Sequence, residues 1–372
     1  MTEYRMITRR NDPELIDFIN YVFSYSDAPT DFIQLLPKVY SAQGSHEVVH
    51  LAVKEDNRIR AVVSILIFSM VHQGKELRVG FIGNVAVHPY SRGKGYMKEL
   101  MRRAEIIMRQ RGCDLAALSG QRQRYEYFGY YQACPEAVFT VTRNNLRHIL
   151  GPAYQSPLMC REVASEDAET IQEIYKLYNT GPATGRSELT FEADCRSWGG
   201  KLISIQNGEN VIGYAVTDGG LGGWTEAHVP PQQYADAMLA YMNACHIRKL
   251  RLEQPLYEQE AIDVLTEIAE EQRIENSCML RILCWEKVLA WAFALRQTQD
   301  GSAELAVQNV GTYRITIQNG EFGVCQIPDT VPGMTEKEAM RLLFSPLPVR
   351  GRDRFPENWF PLSLWIAQAD MF

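Results

Sequence analysis

A segment rich in glycine and basic residues, His88-Pro-Tyr-Ser-Arg92-Gly93-Lys94-Gly95-Tyr96-Met97, has the residue types of an anion-binding loop. Two glycines let the backbone come close to a pyrophosphate, and Arg92 and Lys94 bring positive charge. A Gly-x-Gly pair alone is weak evidence, because a glycine-rich turn with solvated basic residues has the same composition. The position of the segment among the predicted strands and helices therefore decides between the two interpretations.

The flanking residues predict a strand before this segment and a helix after it. Residues 79–87 are mostly apolar, and we predict that four of them share one face of a strand: Val79, Phe81, Val85 and Val87. The next apolar residues recur at helical intervals of three and four: Met97, Leu100, Met101, Ala104, Ile107 and Met108. Gly112 should end that helix, and 114–118 should be a short strand of a parallel sheet. The loop thus precedes a helix N-terminus, where unpaired N–H groups attract an anion.

The composition of the 372-residue chain argues against several classes of protein. A formal charge of -7 leaves no excess of Lys and Arg for binding nucleic acid. The eight cysteines are scattered, without a C-x-x-C pair or zinc-ligand spacing, which predicts reduced thiols and no metal. We find neither the apolar core of a signal peptide nor a run of about 18 apolar residues, so we expect a cytoplasmic protein that does not bind membranes.

The length and an apolar content of 46% predict two or three domains. An amphipathic segment at 14–23 and strands at 48–53 and 59–71 come first. Around residues 145–160 the pairs Asn-Asn, Gly-Pro and Ser-Pro indicate a boundary. Further predicted elements are a strand at 211–216, a helix at 232–245, a strand at 248–252, a helical stretch to Leu295, strands at 303–308 and 312–318, and a helix capped by Thr335. Gly219–Gly223 is interpreted as a structural loop, because no basic residue or helix start follows it.

The loop resembles the Arg-x-x-Gly-x-Gly/Ala signature of GNAT acetyltransferases, with Arg92 and Gly95 in its first two slots. Met97 stands where a small residue is expected, which is similar to the enhanced-intracellular-survival (Eis) acetyltransferases. The resemblance extends to Val85-Ala-Val87-x-Pro89, Ala116-Ala-Leu118 and Tyr125-x-x-Phe128-Gly129-Tyr130.

This resemblance implies an α/β (α+β) fold in three parts and a homohexamer. The parts are a catalytic mixed-sheet GNAT domain at 1–150, a degenerate GNAT-like domain in tandem at 151–277, and a smaller α+β domain like a sterol carrier protein at 278–372.

The resemblance also implies site residues. The positions that contact CoA are Val85, Ala86, Val87, Arg92, Gly93, Lys94, Gly95, Tyr96, Met97 and Lys98. Tyr125 matches the proton donor, and the main-chain carboxylate of Phe372, the last residue, matches the base. Asp27 resembles an acidic residue of the amine pocket, and Asp370 is a second candidate for that role.

Each assignment has a structural alternative. Tyr125 could belong to an aromatic packing cluster with Tyr127, Phe128, Tyr130 and Tyr131, and Phe372 could end an apolar tail packed on the surface. Asp27 and Asp370 could each be a solvated loop charge. The chemistry favours the catalytic roles, because a tyrosine hydroxyl stays protonated at neutral pH and a terminal carboxylate is an available acceptor.

The expected activity is acetyl transfer from acetyl-CoA to a primary amine of a small cationic substrate, directly within a ternary complex. The sequence does not distinguish whether the acceptor is an aminoglycoside, a polyamine or a lysine-like amine. Two alternatives remain: transfer of a different acyl group, and a non-catalytic module that binds CoA or a lipid.

Overall fold

The computed structural model describes residues 2–9, 11–26, 28–41, 46–181, 183–295, 298–329 and 332–372. The helices are α1 (Pro13–Ser26), α2 (Phe32–Leu35), α3 (Pro37–Tyr40), α4 (Tyr96–Gln110), α5 (Arg122–Tyr125), α6 (Arg143–Leu150), α7 (Ala168–Tyr178), α8 (Phe191–Arg196), α9 (Tyr234–Ala244), α10 (Gln259–Ile268), α11 (Trp285–Phe293) and α12 (Glu336–Phe344).

The strands are β1 (Thr2–Ile7), β2 (Glu47–Glu55), β3 (Arg58–His72), β4 (Lys75–Val87), β5 (Leu115–Leu118), β6 (Tyr131–Thr142), β7 (Leu158–Glu162), β8 (Ala183–Thr184), β9 (Leu202–Asn207), β10 (Asn210–Thr217), β11 (Gly223–His228), β12 (Lys249–Pro255), β13 (Glu271–Ile282), β14 (Gly301–Val307), β15 (Gly311–Gln318) and β16 (Glu321–Ile327).

Most strands form one large mixed sheet. Their order is β1-β2-β3-β4-β5-β13-β6-β12-β11-β10-β9-β7, and β8 pairs with β3. The pairs β4–β5 and β11–β12 are parallel, and the other neighbours in the sheet are antiparallel. A second, antiparallel sheet has the order β14-β15-β16. The predicted mixed-sheet α/β fold is therefore confirmed.

The two halves of the large sheet repeat the same arrangement. On one side α4 connects the parallel strands β4 and β5, and on the other side α9 connects β11 and β12. At the centre, β13 lies between β5 and β6, and β6 lies between β13 and β12. Each half thus places its last strand in the other half. The boundary predicted at 277 falls within β13, which continues to Ile282, and the division into three domains stays a prediction.

The predicted shared face of β4 is wrong in its second half. Val79 and Phe81 lie in the core cluster that contains α1, whereas Val85 and Val87 pack on the opposite cluster beside α4. A bulge in β4 causes the reversal. Val62 pairs with Ala86 and Ser64 pairs with Gly83, so an advance of two residues along β3 corresponds to three along β4. Asn84, within this bulge, has a φ of 47°. The extra residue turns Val85 and Val87 to the other side of the sheet.

The predicted unit that surrounds the glycine-rich loop is confirmed. β4 ends at Val87, α4 begins at Tyr96, and β5 pairs in parallel with β4. Gly112, with a φ of +70°, follows the last turn of α4. The boundary predicted at 145–160 begins inside a helix, α6, which the Thr142 side chain caps in a capping box with Asn145.

The C-terminal residues pack against the first half of the sheet. Thr335 caps α12 through Glu338 as predicted, and the chain then runs back over the core that contains Phe81. Four residues of this returning segment are fully buried or nearly so: Trp359, Leu362, Leu364 and Ile366. Among the described residues, no helix is both long and apolar enough to cross a membrane.

Candidate active site

The glycine-rich loop has an open backbone that faces outward. Gly93 and Gly95 have φ values of +82° and +79°, and a Cβ built on either of them meets no atom within 4 Å. The first main-chain bond of α4 runs from Glu99 N to Gly95 O over 3.2 Å. The N–H groups of Tyr96, Met97 and Lys98 precede that bond, so helix geometry gives them no partner within the helix. The loop therefore offers a row of amides to an anion.

A cleft of about 850 Å³ begins at this loop and extends along the end of β4. Phe23 of α1 and Arg124 and Phe128, near the end of α5, form other parts of its wall. It is lined by eight of the ten residues predicted to contact CoA: Val85, Val87, Arg92, Gly93, Gly95, Tyr96, Met97 and Lys98.

The other two predicted contact residues have side chains directed elsewhere. Ala86 is 1% exposed and packs in the core on the opposite side of the bulged strand. Lys94 Nζ lies 2.9 Å from both carboxylate oxygens of Glu55, and the Tyr96 hydroxyl donates to the same carboxylate. The hydrogen bonds from Tyr96 and Lys94 lower the pKa of Glu55, so its negative charge offsets the charge that Lys94 was expected to bring to the loop.

Tyr125 lies beside the point where β4 and β5 separate. The parallel pairing of these strands ends at Ile82 and Leu118, and Ser119 and Gly120 follow. A Cβ built on Gly120 would lie 2.9 Å from Tyr125 Cε2, so the ring packs directly on the Gly120 backbone. Tyr125 is 6% exposed, and burial raises the pKa of its hydroxyl, which keeps it protonated at neutral pH.

Phe372 lies near the same point, where β4 and β5 separate, but on the opposite face of the sheet from Tyr125. A Cβ built on Gly83 would lie 2.6 Å from Phe372 Cγ, so the ring lies on the backbone of β4. Ser119 Oγ lies 3.5 Å from Met371 Sδ. Phe372 is only 6% exposed and packs in the main core, which rules out a tail lying on the surface. Because Ser119 contacts Met371 and Gly120 contacts Tyr125, Tyr125 and the residue before Phe372 lie against the same short segment.

Residues distant in sequence fix the main chain just before Phe372. Lys38, whose side chain is fully buried, donates to Ala369 O over 2.6 Å and to Met371 O. Trp198 Nε1 donates to Met371 O over 3.1 Å. Burial lowers the pKa of Lys38 to about 8, against the opposing charges of Asp194 and Asp370.

A buried ion-pair network holds the side chain of Asp370. Arg186 Nε lies 2.7 Å from Asp370 Oδ1, and Arg186 Nη2 lies 2.9 Å from Asp370 Oδ2. The same guanidinium binds Glu226 through two bonds of 3.0 and 2.7 Å. Asp370 is thus 6% exposed and paired, and its interpretation as a solvated loop charge is wrong. Asp27, the predicted acid of the amine pocket, lies outside the described residues.

Sequence reasoning missed Lys38, Arg186, Trp198 and Glu226 as anchors of the last residues. Lys38 is separated from its acceptors by 331 and 333 positions, and Arg186 is separated from Asp370 by 184. No local pattern connects such residues. The one indication was the apolar character of the C-terminal segment, which predicts burial but names no partner.

The residues present fit a pyrophosphate-containing cofactor such as CoA. The open space beside Gly93 and Gly95, which a side chain would fill, is the feature that a closely approaching phosphate needs. Over the residues that the structure describes, no group of three or more His, Cys, Asp or Glu side chains is placed to hold a metal ion.

Comparison with known proteins agrees with this geometry. Residues 3–133 match the family described as "Acetyltransferase (GNAT) domain". This part of the chain has the GNAT acetyltransferase fold. No curated protein matches the sequence of the chain.

Solved structures extend the similarity beyond the GNAT domain. A GCN5-related N-acetyltransferase from Kribbella flavida is 18% identical with a TM-score of 0.62, covering 92% of this chain and 88% of its own. Another from Anabaena variabilis is 16% identical with a TM-score of 0.64, covering 92% and 90%. Eis1 from Mycobacterium abscessus is 14% identical with a TM-score of 0.58, covering 93% and 90%. At these identities the likeness concerns the fold.

Substitution of Gly95 by valine should abolish acetyl-CoA binding by the GNAT domain. The new side chain would occupy the open space beside the loop, and a β-branched residue strains a backbone with φ of +79°. Calorimetry should show no saturable binding. Gly112→Val, at the other end of α4 with a φ of +70° and similar open space, introduces comparable strain and should still bind acetyl-CoA. Unchanged affinity in Gly95→Val would remove the loop from the site.

Lys38 should make stability depend on pH. Its pKa is lowered from 10.5 to about 8, so between these values the unfolded chain binds more protons than the folded one, and stability rises with pH. The free energy of unfolding of the wild type, relative to that of Lys38→Met, should therefore rise by about 2 kcal/mol between about pH 7 and about pH 9.5. Chemical denaturation of both proteins at the two pH values measures this difference. A constant difference would contradict the pKa of the buried lysine.

Proposed function

We propose that this protein is an N-acetyltransferase that moves the acetyl group of acetyl-CoA to a primary amine of a small cationic substrate. The observation that carries the proposal is that three features lie beside β4 and β5 where these strands separate, although neither Tyr125 nor Phe372 belongs to the lining of the cleft. These are the cleft that begins at Gly93 and Gly95, the buried hydroxyl-bearing ring of Tyr125, and the buried terminal residue Phe372.

The residues divide the chemistry between them. Amides of the loop and of the α4 N-terminus hold the pyrophosphate, and the end of β4 places the thioester beside the separated strands. CoA supplies the acetyl thioester. The Phe372 carboxylate accepts a proton from the amine nitrogen, directly or through one water, and the Tyr125 hydroxyl gives its proton to the departing thiolate. Transfer is direct, without an acyl-enzyme.

The buried network explains how a chain end can serve as a base. Chain termini are usually mobile, which would spread a terminal carboxylate over many positions. Here Lys38 and Trp198 bind the carbonyl oxygen of Met371, and Arg186 holds Asp370 through two bonds. Because these contacts fix Asp370 and Met371, the Phe372 carboxylate can move only as far as one residue of chain allows.

We further propose that the three-part organisation implied by the sequence applies to this chain. The equivalent positions of α4 and α9, each between two parallel strands, support a second GNAT-like half that has lost the glycine-rich loop. The separate sheet β14-β15-β16 with α11 and α12 is the counterpart of the carrier-like domain. A homohexamer in the cytoplasm is the expected assembly, and Asp27 is the expected acid of the amine pocket.

A panel of donors and amines tests the proposal. The protein is mixed with acetyl-CoA or a long-chain acyl-CoA and, separately, with a polyamine, an aminoglycoside and a lysine peptide, and release of free CoA is followed. We expect release with acetyl-CoA that depends on the amine. Faster release with the long-chain donor would favour transfer of a different acyl group, and binding of CoA without amine-dependent release would favour a non-catalytic module.

A further inference from the structure

Four buried side chains with polar groups surround the bulge of β4. Tyr40, His50, Ser64 and Asn84 are each at most 6% exposed. Asn84 Nδ2 donates to the Tyr40 hydroxyl, and His50 Nδ1 lies 2.7 Å from Ser64 Oγ. The rings of Tyr40 and His50 stack with their centroids 6.0 Å apart, and Ser64 pairs with Gly83 across β3 and β4. This polar cluster therefore lies at the bulged residues of β4.

The Tyr40–Asn84 hydrogen bond holds a strained part of the strand. Asn84 has a φ of 47°, a backbone conformation that residues other than glycine adopt only where surrounding contacts enforce it. The bulge at Asn84 also turns Val85 and Val87 toward the cleft that begins at the glycine-rich loop. Tyr40 thus acts, through Asn84, on the part of β4 that faces the cofactor.

Tyr40 belongs to α3, whose four residues also contact the C-terminal segment. Lys38, Val39 and Tyr40 are each at most 3% exposed, and Pro37 at the first helical position fixes the start of the helix. Two residues before Tyr40, Lys38 donates to the carbonyl oxygens of residues 369 and 371. The same short helix therefore contacts both β4 and the end of the chain.

These two sets of contacts also meet each other. The ring of Phe372 lies on the backbone of Gly83, the residue before Asn84. Met371, which accepts the hydrogen bond from α3, is the residue before Phe372. The contacts form a closed circuit from α3 to Asn84, along β4 to Phe372, and through Met371 back to α3. A shift of α3 would move the donor strand and the chain end together.

We propose that α3 is a positioning element of the transfer site, in which Tyr40 fixes the bulge of β4 and Lys38 fixes the C-terminal residues. One helix thereby sets the acetyl donor and the terminal carboxylate relative to each other. This inference rests on the proposed transferase function. Tyr40 is a positioning residue, because it acts through Asn84 and takes no part in the proton transfers.

Substitutions at both ends of the hydrogen bond test the role of Tyr40. Tyr40→Phe removes the hydroxyl, and Asn84→Gly removes the amide while tolerating a φ of 47°. Each should lower kcat at least about tenfold, because a small displacement of the bound donor is costly. The Kd for acetyl-CoA should change less than about threefold, because the glycine-rich loop is unaltered. The double variant should be no slower than the slower single variant, since both changes break the same bond.

Tyr234→Phe is the matched control. Tyr234 is 1% exposed, and its hydroxyl accepts a hydrogen bond of 2.7 Å from Gln254 Nε2, so this substitution also leaves a buried amide without that acceptor. Tyr234 lies on α9 in the other half of the sheet, so kcat should stay close to that of the wild type. Wild-type kcat in Tyr40→Phe or Asn84→Gly, additive losses in the double variant, or an equal loss in Tyr234→Phe would overturn the inference.

Hydrogen exchange gives a readout that does not depend on activity. Amides of residues 83–87, followed by mass spectrometry, should exchange faster in Tyr40→Phe than in the wild type or Tyr234→Phe, because the bulge has lost its anchor. Unchanged exchange would overturn the inference even if the wild type transfers acetyl groups. A wild type without amine-dependent release of CoA would contradict the proposed function, and the positioning role would fail with it.

Discussion

A protein with a few residues added after Phe372 should transfer acetyl groups at least about 10²-fold more slowly than the chain that ends there. Extension turns the terminal carboxylate into a neutral amide and moves the new charge away from the amine. The space around Phe372 is filled, because the residue is 6% exposed and its ring lies on the Gly83 backbone. Steady-state rates across several amines measure the effect.

Two measurements separate this loss from general damage. Affinity for acetyl-CoA should stay nearly unchanged, because Phe372 does not line the cleft that begins at Gly93 and Gly95. The same tag placed at the N-terminus should leave the rate unchanged. An extended enzyme that is as fast as the untagged one would show that another group is the base.

Tyr125→Phe should reduce turnover by about 10²- to 10⁴-fold, since it removes the hydroxyl that donates a proton to the thiolate. The ring contact with Gly120 needs no hydroxyl, so the fold and the affinity for acetyl-CoA should be retained. Tyr127→Phe is a matched control in the same segment, because Tyr127 is 68% exposed and has no assigned role. Near-normal turnover of Tyr125→Phe would return Tyr125 to a packing role.

The local parts of the site could be predicted from the sequence. The strand, loop, helix and strand from residue 79 to residue 118 depend on apolar spacing and on glycines within a few positions of one another, and the structure confirms them. The eight predicted residues that line the cleft were implied by the family resemblance, whose motif lies in the same continuous segment.

Two features depend on distant parts of the chain and were not predicted. The bulge at Asn84, which turns Val85 and Val87 to the cofactor side, depends on pairing with β3 and on the Tyr40 hydroxyl. The orientation of Lys94 depends on Glu55, which is 39 residues away. Apolar spacing describes neighbours in sequence, so it cannot supply partners that only folding brings together.

The most direct test of the central claim is the mass of the amine product. The chain ending at Phe372 is incubated with acetyl-CoA and the most active amine of the panel, and the amine is then analysed by mass spectrometry. We predict that the amine gains one acetyl group on nitrogen for each CoA released, and that Gly95→Val yields none. Release of CoA with no acetylated amine, or an equal yield from Gly95→Val, would contradict the account.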